Sequence, residues 1–337
     1  MGEFDLIERY FKAPARTMLT RDGVASSVDL GIGDDCALLQ PSMGMHLAIS
    51  SDMLVEGRHF FADVDPFSLG HKALAVNLSD LAACGAKPLA FTLALALPKA
   101  DENWLAPFSR GLLTLAAEHD CALIGGDTTQ GPLNICITVF GEVQYKQTLL
   151  RSGAQVGDDI YVSGTLGDAR LALEVLQGKL SQSDLTSEQF TLARSRLETP
   201  TPRVALGMAL RGVASSAIDL SDGLLGDLGH ILKQSCVGAT IDTSIAINLI
   251  ANKEINTLAT RKLTHQKQLA YVLAGGDDYE LAFTAPAHLR SKVQAAALAS
   301  QTNVTRIGQI EAELGLRLVD ALGHIPPNNY ASFDHFK

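Results

Sequence analysis

Charge is scarce in this chain, and positive charge is never clustered. Of 337 residues 19% are charged against 47% hydrophobic, and 37 acids outweigh 27 bases to leave a formal net charge of -10. With no run of Lys or Arg, a general nucleic-acid surface is not expected, because phosphate backbones are held by grouped cations. Cysteine is sparse too. Cys36, Cys84, Cys121, Cys136 and Cys236 never form a C-x-x-C pair, so neither a zinc site nor a disulfide framework is expected. The longest apolar stretch, 89–97, is about half of the roughly 18 residues that a membrane span requires. Residues 1–11 carry charges throughout and lack the apolar core of a signal peptide. These absences predict a soluble cytoplasmic protein without nucleic-acid or membrane partners. Also missing are the G-x-x-x-x-G-K-[ST] phosphate loop, the complete G-x-G-x-x-G fingerprint, H-E-x-x-H and G-x-S-x-G. Ordinary phosphate-loop, protein-kinase, dinucleotide-binding, zincin and serine-hydrolase chemistry lose support with them.

Present instead are carboxylates in regular places. The length exceeds what one core usually sustains, so two domains are expected, with a boundary in the polar, glycine-interrupted region 144–157. Residues 3–11 predict a short helix with Phe4, Ile7 and Phe11 on one side. Strands are expected at 28–32 and 45–50, each ending in an acidic turn, Asp34-Asp35 and Ser50-Ser51-Asp52. Asp65-Pro66 should start a helix that Gly85 stops, with Asn77 and Asp80 on or beside its apolar stripe, either in a buried hydrogen-bond network or as metal ligands. A strand at 89–97, a helix at 101–118, a strand at 121–124 running into Gly125-Gly126-Asp127-Thr128, and a strand at 133–143 complete the first half.

The second half reads as a strand at 159–163, a helix through Leu176, a solvated loop at 177–187 and a helix at 203–210. Next, Ala217-Ile218-Asp219-Leu220-Ser221-Asp222-Gly223 closes a strand and opens a helix to about Gln234. Ser221 is the natural N-cap there, and free N–H groups at such a start favour phosphate. A strand at 281–284, a helix at 287–299 and a strand at 304–310 follow. The whole is of mixed α/β class with acids gathered at strand ends. Brought together, so many carboxylates could not all ionise without counter-charge. Several Mg²⁺ ions shared with a polyphosphate would supply it, since Mg²⁺ takes one or two carboxylates and completes its shell with water and phosphate.

Seven stretches, in order and spacing, resemble the thiamine-monophosphate kinase family. They are Gly31-Ile32-Gly33-Asp34-Asp35, the run from Ser50 to Phe60, Asn77-Leu78-Ser79-Asp80, Gly125-Gly126-Asp127-Thr128-Thr129, Arg151-Ser152-Gly153-Ala154, Ile218 to Leu224, and Gly275-Gly276-Asp277-Asp278-Tyr279-Glu280-Leu281. Gly-Gly-Asp-Thr alone is shared with the wider aminoimidazole ribonucleotide synthetase-like superfamily; the series is more specific. The resemblance implies a two-domain fold of that superfamily, with an N-terminal domain (1–148) for ATP, Mg²⁺ and dimerisation and a C-terminal α/β domain (149–337) completing the site. The first domain would pair with its symmetry mate into a β-barrel, making a homodimer. It also implies ATP-dependent, in-line phosphorylation of thiamine monophosphate to thiamine diphosphate. Carried over, Asp35, Ser50, Ser51, Asp52, Asp80, Asp127, Asp219 and Asp222 form the metal set. Gly126, Asp127, Arg151 and Ser221 meet the nucleotide, and His59, Asp277 and Phe333 meet the substrate. Turnover would depend on Asp52, Asp80, Asp127 and Arg151. Three positions depart from the family pattern: Asp277 stands where Glu is common, Phe333 where Tyr or Trp is usual, and Ser51 where Thr is common, keeping the hydroxyl.

Overall fold

A computed structural model describes residues 2–15, 27–251, 264–323 and 330, in two compact units: Met1–Leu81 with Ala86–Thr148, and Ala82–Gly85 with Leu149–Lys337. In the first unit, α1 (Glu3–Ile7) continues into one π-helical turn, Glu8–Lys12. The wider turn shifts the inward face from the expected Ile7 to Leu6, Tyr10 and Phe11, all buried; the Phe4 side chain lies outside the described residues. After β1 (Val28–Leu30) and β2 (Leu38–Leu39), which pair with each other, come β3 (Met45–Val55), α2 (Pro66–Ala83), β4 (Lys87–Leu97), α3 (Glu102–Glu118), β5 (Ala122–Gln130) and β6 (Asn134–Gln144).

The larger sheet runs β3-β6-β4-β5, antiparallel except for β4 and β5. A parallel pair needs a long crossover, and α3 provides it. Helix α2 starts as its sequence dictates, the Asp65 carboxylate accepting the Ser68 N–H at 2.9 Å, and from Lys72 to Ser79 every residue is buried. Glycine lets it lie close to α3: a methyl carbon at Gly111 would stand 2.0 Å from the Phe67 carbonyl oxygen.

Two strands outrun the sequence expectation. β3 continues through Ser51 and Asp52 to Val55, and β5 continues through Gly125-Gly126-Asp127-Thr128, so these acids lie within strands instead of in turns after them. Local Ser-Asp and Gly-Asp signals favour turns, but β3 is paired with β6 from Met45 to Val55, and that ladder decides. Within the chain this sheet is open, with β3 and β5 at its edges.

The second unit contains β7 (Asp159–Ser163), α4 (Asp168–Leu176), α5 (Ser187–Glu198), α6 (Val204–Ala209), β8 (Ser216–Asp219), α7 (Leu224–Ser235), β9 (Gly238–Asp242) and α8 (Thr243–Ala246). It ends with α9 (His265–Ala274), β10 (Leu281–Ala285), α10 (Arg290–Ala299), β11 (Val304–Glu311) and β12 (Gly315–Val319). Sequence reading assigns nothing to α5, β9 or β12. The sheet order is β12-β9-β11-β7-β10-β8, with only β12 and β9 parallel. Leu224, Leu228 and Ile231 of α7 and Leu269 and Val272 of α9 bury one sheet face at Val162, Ile218, Ile241 and Ile307. Helices α4 and α5 make a separate cluster around Leu171, Phe190 and Leu197, and Leu180 from the expected loop is buried in it. Among the described residues no helix is long and apolar enough to cross a membrane.

Asp159 starts β7 fully buried, bound by Arg290 through two bonds of 2.6 and 2.8 Å and by Arg306 at 3.0 Å. The Arg290 hydrogen bond, with Arg306 adding to it, holds the carboxyl below its ordinary value against the opposing effect of burial. A depressed native value means that this stabilisation is present above the unfolded carboxyl's pKa, about 4, and is lost as pH falls through the native one. Asp159→Asn should therefore unfold at lower denaturant than the parent at pH 7, and the gap should narrow below about pH 4. A gap that is constant from pH 7 to pH 3 would contradict the ion pairing.

Candidate active site

Alternation along β3 puts Ser50 and Asp52 on one side and Ser51 on the other. Against the first side, α2 presents Asn77 and Asp80, one turn apart. Ser50 Oγ donates to Asp80 Oδ2 at 2.5 Å, and the Asp52 N–H donates to Asn77 Oδ1 at 3.1 Å. Asn77 is buried and donates in turn to the Ala73 carbonyl at 3.0 Å. Of the two readings open for Asn77, the hydrogen-bond network is the one formed: it fixes the backbone of Asp52. Ser51 stands apart from the Ser50, Asp52 and Asp80 group, its hydroxyl bonded to Thr138 Oγ1 at 3.0 Å and the Ile137 carbonyl at 3.1 Å. Where β3 ends, the Val55 N–H donates to His59 Nδ1 at 3.0 Å.

Gly126 and Asp127 lie on the opposite edge strand. Gly126 has φ +143°, and a Cβ there would collide with the Leu93 carbonyl, so only glycine lets β5 run this close to β4. Along the ladder Asp52 pairs with Ile137, Ile137 with Leu93 and Leu93 with Gly126, so three strand spacings, roughly 14 Å, separate the edges. Asp35 is exposed between β1 and β2; its N–H donates to Asp34 Oδ1 at 3.0 Å, which gives Asp34 an orienting role in the loop. Among the described residues no three His, Cys, Asp or Glu side chains are placed to hold one metal ion.

In the second unit β8 delivers Asp219, and the chain turns through Leu220–Gly223 into α7. Gly223 has φ +107°, and a Cβ there would press on the Ala274 backbone at 2.9 Å. The expected Ser221 cap is not formed, because Gly223 takes the cap position and Asp227, in the first turn, reaches back. Its Oδ2 accepts the N–H groups of Asp222 and Gly223, each at 3.1 Å. Those donors, expected to await a phosphate, are occupied by the protein's own carboxylate. Burial pushes the Asp227 carboxyl up to about 7, with its backbone donors opposing.

Residues 275–280 run beside this turn. The Asp277 N–H donates to the Ser221 carbonyl, the Tyr279 N–H to the Leu220 carbonyl and the Leu220 N–H to the Glu280 carbonyl, each at 2.8 Å. Asp219, Ser221, Asp222 and Asp277 are thereby brought into one neighbourhood. Asp278 points inward: it is 1% exposed, accepts the Gly167 N–H at 2.9 Å, and is raised well above the ordinary carboxylate range by burial. The exposed Arg151 belongs to a loop tied down by Ser235, whose hydroxyl accepts the Gly153 and Ala154 N–H groups at 3.1 and 3.2 Å and donates to the Arg151 carbonyl at 3.4 Å. Phe333 lies outside the described residues.

Sequence reasoning missed Asp227, Ser235 and Arg196. An acid four residues into a helix after a glycine could have disclosed Asp227. Arg196 sits on α5, whose Phe190, Ala193 and Leu197 carry a helical spacing that a polar composition hides.

Two family models match: AIR synthase related protein, N-terminal domain, over residues 33–143, and its C-terminal domain over 155–321. The chain is 45% identical over 339 residues to thiamine-monophosphate kinase of Escherichia coli O157:H7, covering 99% of this chain and 98% of that one. Among solved structures it resembles thiamine-monophosphate kinase from Stenotrophomonas maltophilia K279a, with TM-score 0.81, 44% identity and coverage of 94% of this chain and 96% of that one. A structure of AaThiL complexed with AMPPCP and TMP superposes with TM-score 0.75 at 27% identity, over 99% of this chain and 97% of that one.

Asn77→Ala would leave the Asp52 N–H without its acceptor, at an expected cost of about 1–3 kcal/mol in unfolding free energy, read from the denaturant midpoint. A midpoint equal to the parent's would mean that the Asn77 bond contributes nothing.

Proposed function

The chain belongs to the thiamine-monophosphate kinase family, assembled from the two domains of AIR synthase related proteins, and on that premise we propose how its residues divide the reaction. It catalyses the ATP-dependent phosphorylation of thiamine monophosphate to thiamine diphosphate, a step of thiamine diphosphate biosynthesis. The observation that carries the assignment of roles is the placing of the carboxylates: Asp52 and Asp222 on backbone that the Asn77 and Asp227 side chains hold, Asp80 on α2 bonded by Ser50 of β3, and Asp219 at the end of β8.

The donor chemistry fits Mg²⁺. Asp35, Ser50, Ser51, Asp52, Asp80, Asp127, Asp219 and Asp222 offer only hard oxygens, and their spread into ones and twos suits an ion that completes its shell with water and phosphate. Mg²⁺ held there would neutralise charge developing on the transferred group and so make in-line transfer possible. For the chain's own part, Arg151 supplies fixed positive charge to the nucleotide, with Gly126 and Ser221 offering close backbone approach. His59 and Asp277 orient the substrate, and Phe333 stacks on the thiamine rings. The acceptor phosphate is largely a dianion at pH 7, so no side chain need act as a strong general base. Alignment of two repelling anions is the main task, and positioning performs it.

The first unit also serves dimerisation. Leu47, Ile49 and Met53 are 40%, 59% and 52% exposed and share one face of the edge strand β3. A second copy would cover them and close two open sheets into a barrel. It would also supply the opposite sheet edge that lies out of reach of Asp52 within one chain. The five cysteines, none of them in a disulfide, suit a cytoplasmic enzyme.

Asp52→Asn should keep its fold by circular dichroism and lose at least about 100-fold in thiamine monophosphate-dependent ADP formation. Turnover of aminoimidazole precursors in place of thiamine monophosphate by the parent would favour a synthetase instead. In light scattering the parent should weigh twice the chain mass, and Ile49→Lys should shift it towards monomer; a monomeric parent would remove the barrel.

A further inference from the structure

The segment 275–280 adopts a backbone that few sequences tolerate. Gly276, Asp277 and Tyr279 have φ of +73°, +60° and +50°. Asp enters the left-handed region more readily than most residues, but a bulky aromatic rarely does, and such conformations persist only where the surroundings over-determine them. Backbone bonds to Leu220 and Ser221 supply part of that determination. The remainder comes from α5. Arg196 Nη2 donates both to the Asp278 carbonyl at 2.9 Å and to Glu280 Oε1 at 2.7 Å. Glu280 is fully buried and is itself held by Ser163 at 2.6 Å and by Arg203 through two bonds. Asp278 extends the same clamp to the Gly167 N–H. The carbonyl immediately after Asp277, that of Asp278, is thus gripped by a rigid, charge-paired guanidinium.

We infer that Arg196 is a positioning residue for the thiamine side of the site: it holds the left-handed run against Leu220 and Ser221 so that the Asp277 carboxylate is presented in one place. In this role Arg196 acts through the backbone and through Glu280, not on a substrate. Its fork is suited to the task because one planar group bridges a backbone carbonyl and a buried carboxylate, which a lysine can do only in part. Asp277 has a short side chain, so the backbone position matters more, since few side-chain torsions are there to correct an error. The inference rests on the reading that Asp277 meets the substrate.

Steady-state kinetics on the full chain, varying thiamine monophosphate and ATP separately with Mg²⁺ present, test both. Arg196→Met should raise KM for thiamine monophosphate about 10-fold or more with KM for ATP within about twofold, and Arg196→Lys should restore much of the loss, to about threefold. Should the Met variant not fold, the same split in the Lys variant carries the test. Parallel changes in both KM values, or a fall in thermal midpoint with neither KM changed, would reduce Arg196 to a stabilising contact and overturn the proposal. Asp277→Ala separates the two claims. If it leaves KM for thiamine monophosphate unchanged, the substrate reading fails; if it raises that KM while Arg196→Met does not, the clamp fails.

Discussion

Wherever a strand ends or stands at a sheet edge, backbone N–H and C=O groups lose their ladder partners, and buried ones must find others. In this chain side chains take them up at the places where candidate functional residues sit. Asn77 takes the N–H of Asp52, Asp227 those of Asp222 and Gly223, Ser235 those behind Arg151, and Arg196 the carbonyl behind Asp277. Each tie removes freedom from the backbone that carries the neighbouring carboxylate or guanidinium. A site built for alignment needs this more than it needs reactive groups, because orienting two bound anions accounts for much of the barrier that a protein can lower.

Electrostatics set the second condition. A chain with ten more acids than bases must bring two phosphorylated molecules together. Packing its carboxylates into one tight cluster would push protons back onto them. The described residues avoid that: Ser50, Asp52 and Asp80 share one edge, Asp127 stands on the other, and Asp219 and Asp222 belong to another unit. Small groups of hard oxygens stay ionised more easily and leave room in a cation's shell for phosphate.

Much of the element order was legible because local signals and tertiary structure agreed. Asp65-Pro66 starts α2, Asp101 caps α3, and the apolar run at 89–97 lies within β4. Where they disagreed, the ladder prevailed: Ser50-Ser51-Asp52 and Gly125-Gly126-Asp127 read as turns but are strand interiors. The acidic motifs were visible as strings, whereas their supports were not. Asn77 and Asp52 are 25 residues apart and Arg196 and Asp278 are 82 apart, and no periodicity marks a hydrogen bond across such distances. Ser221 illustrates the subtler failure, since a good capping residue was outcompeted by a carboxylate one turn further on.

That carboxylate, Asp227, gives the second unit a particular kind of selectivity. Helix starts attract loose anions from solution, and an open one would bind inorganic phosphate or sulfate as readily as a nucleotide. Here two N–H groups of the turn before α7, those of Asp222 and Gly223, are taken by the chain's own Asp227 carboxyl. An anion arriving at this turn must compete with Asp227 for those two donors. That competition is a property of the bare fold, present before any substrate arrives.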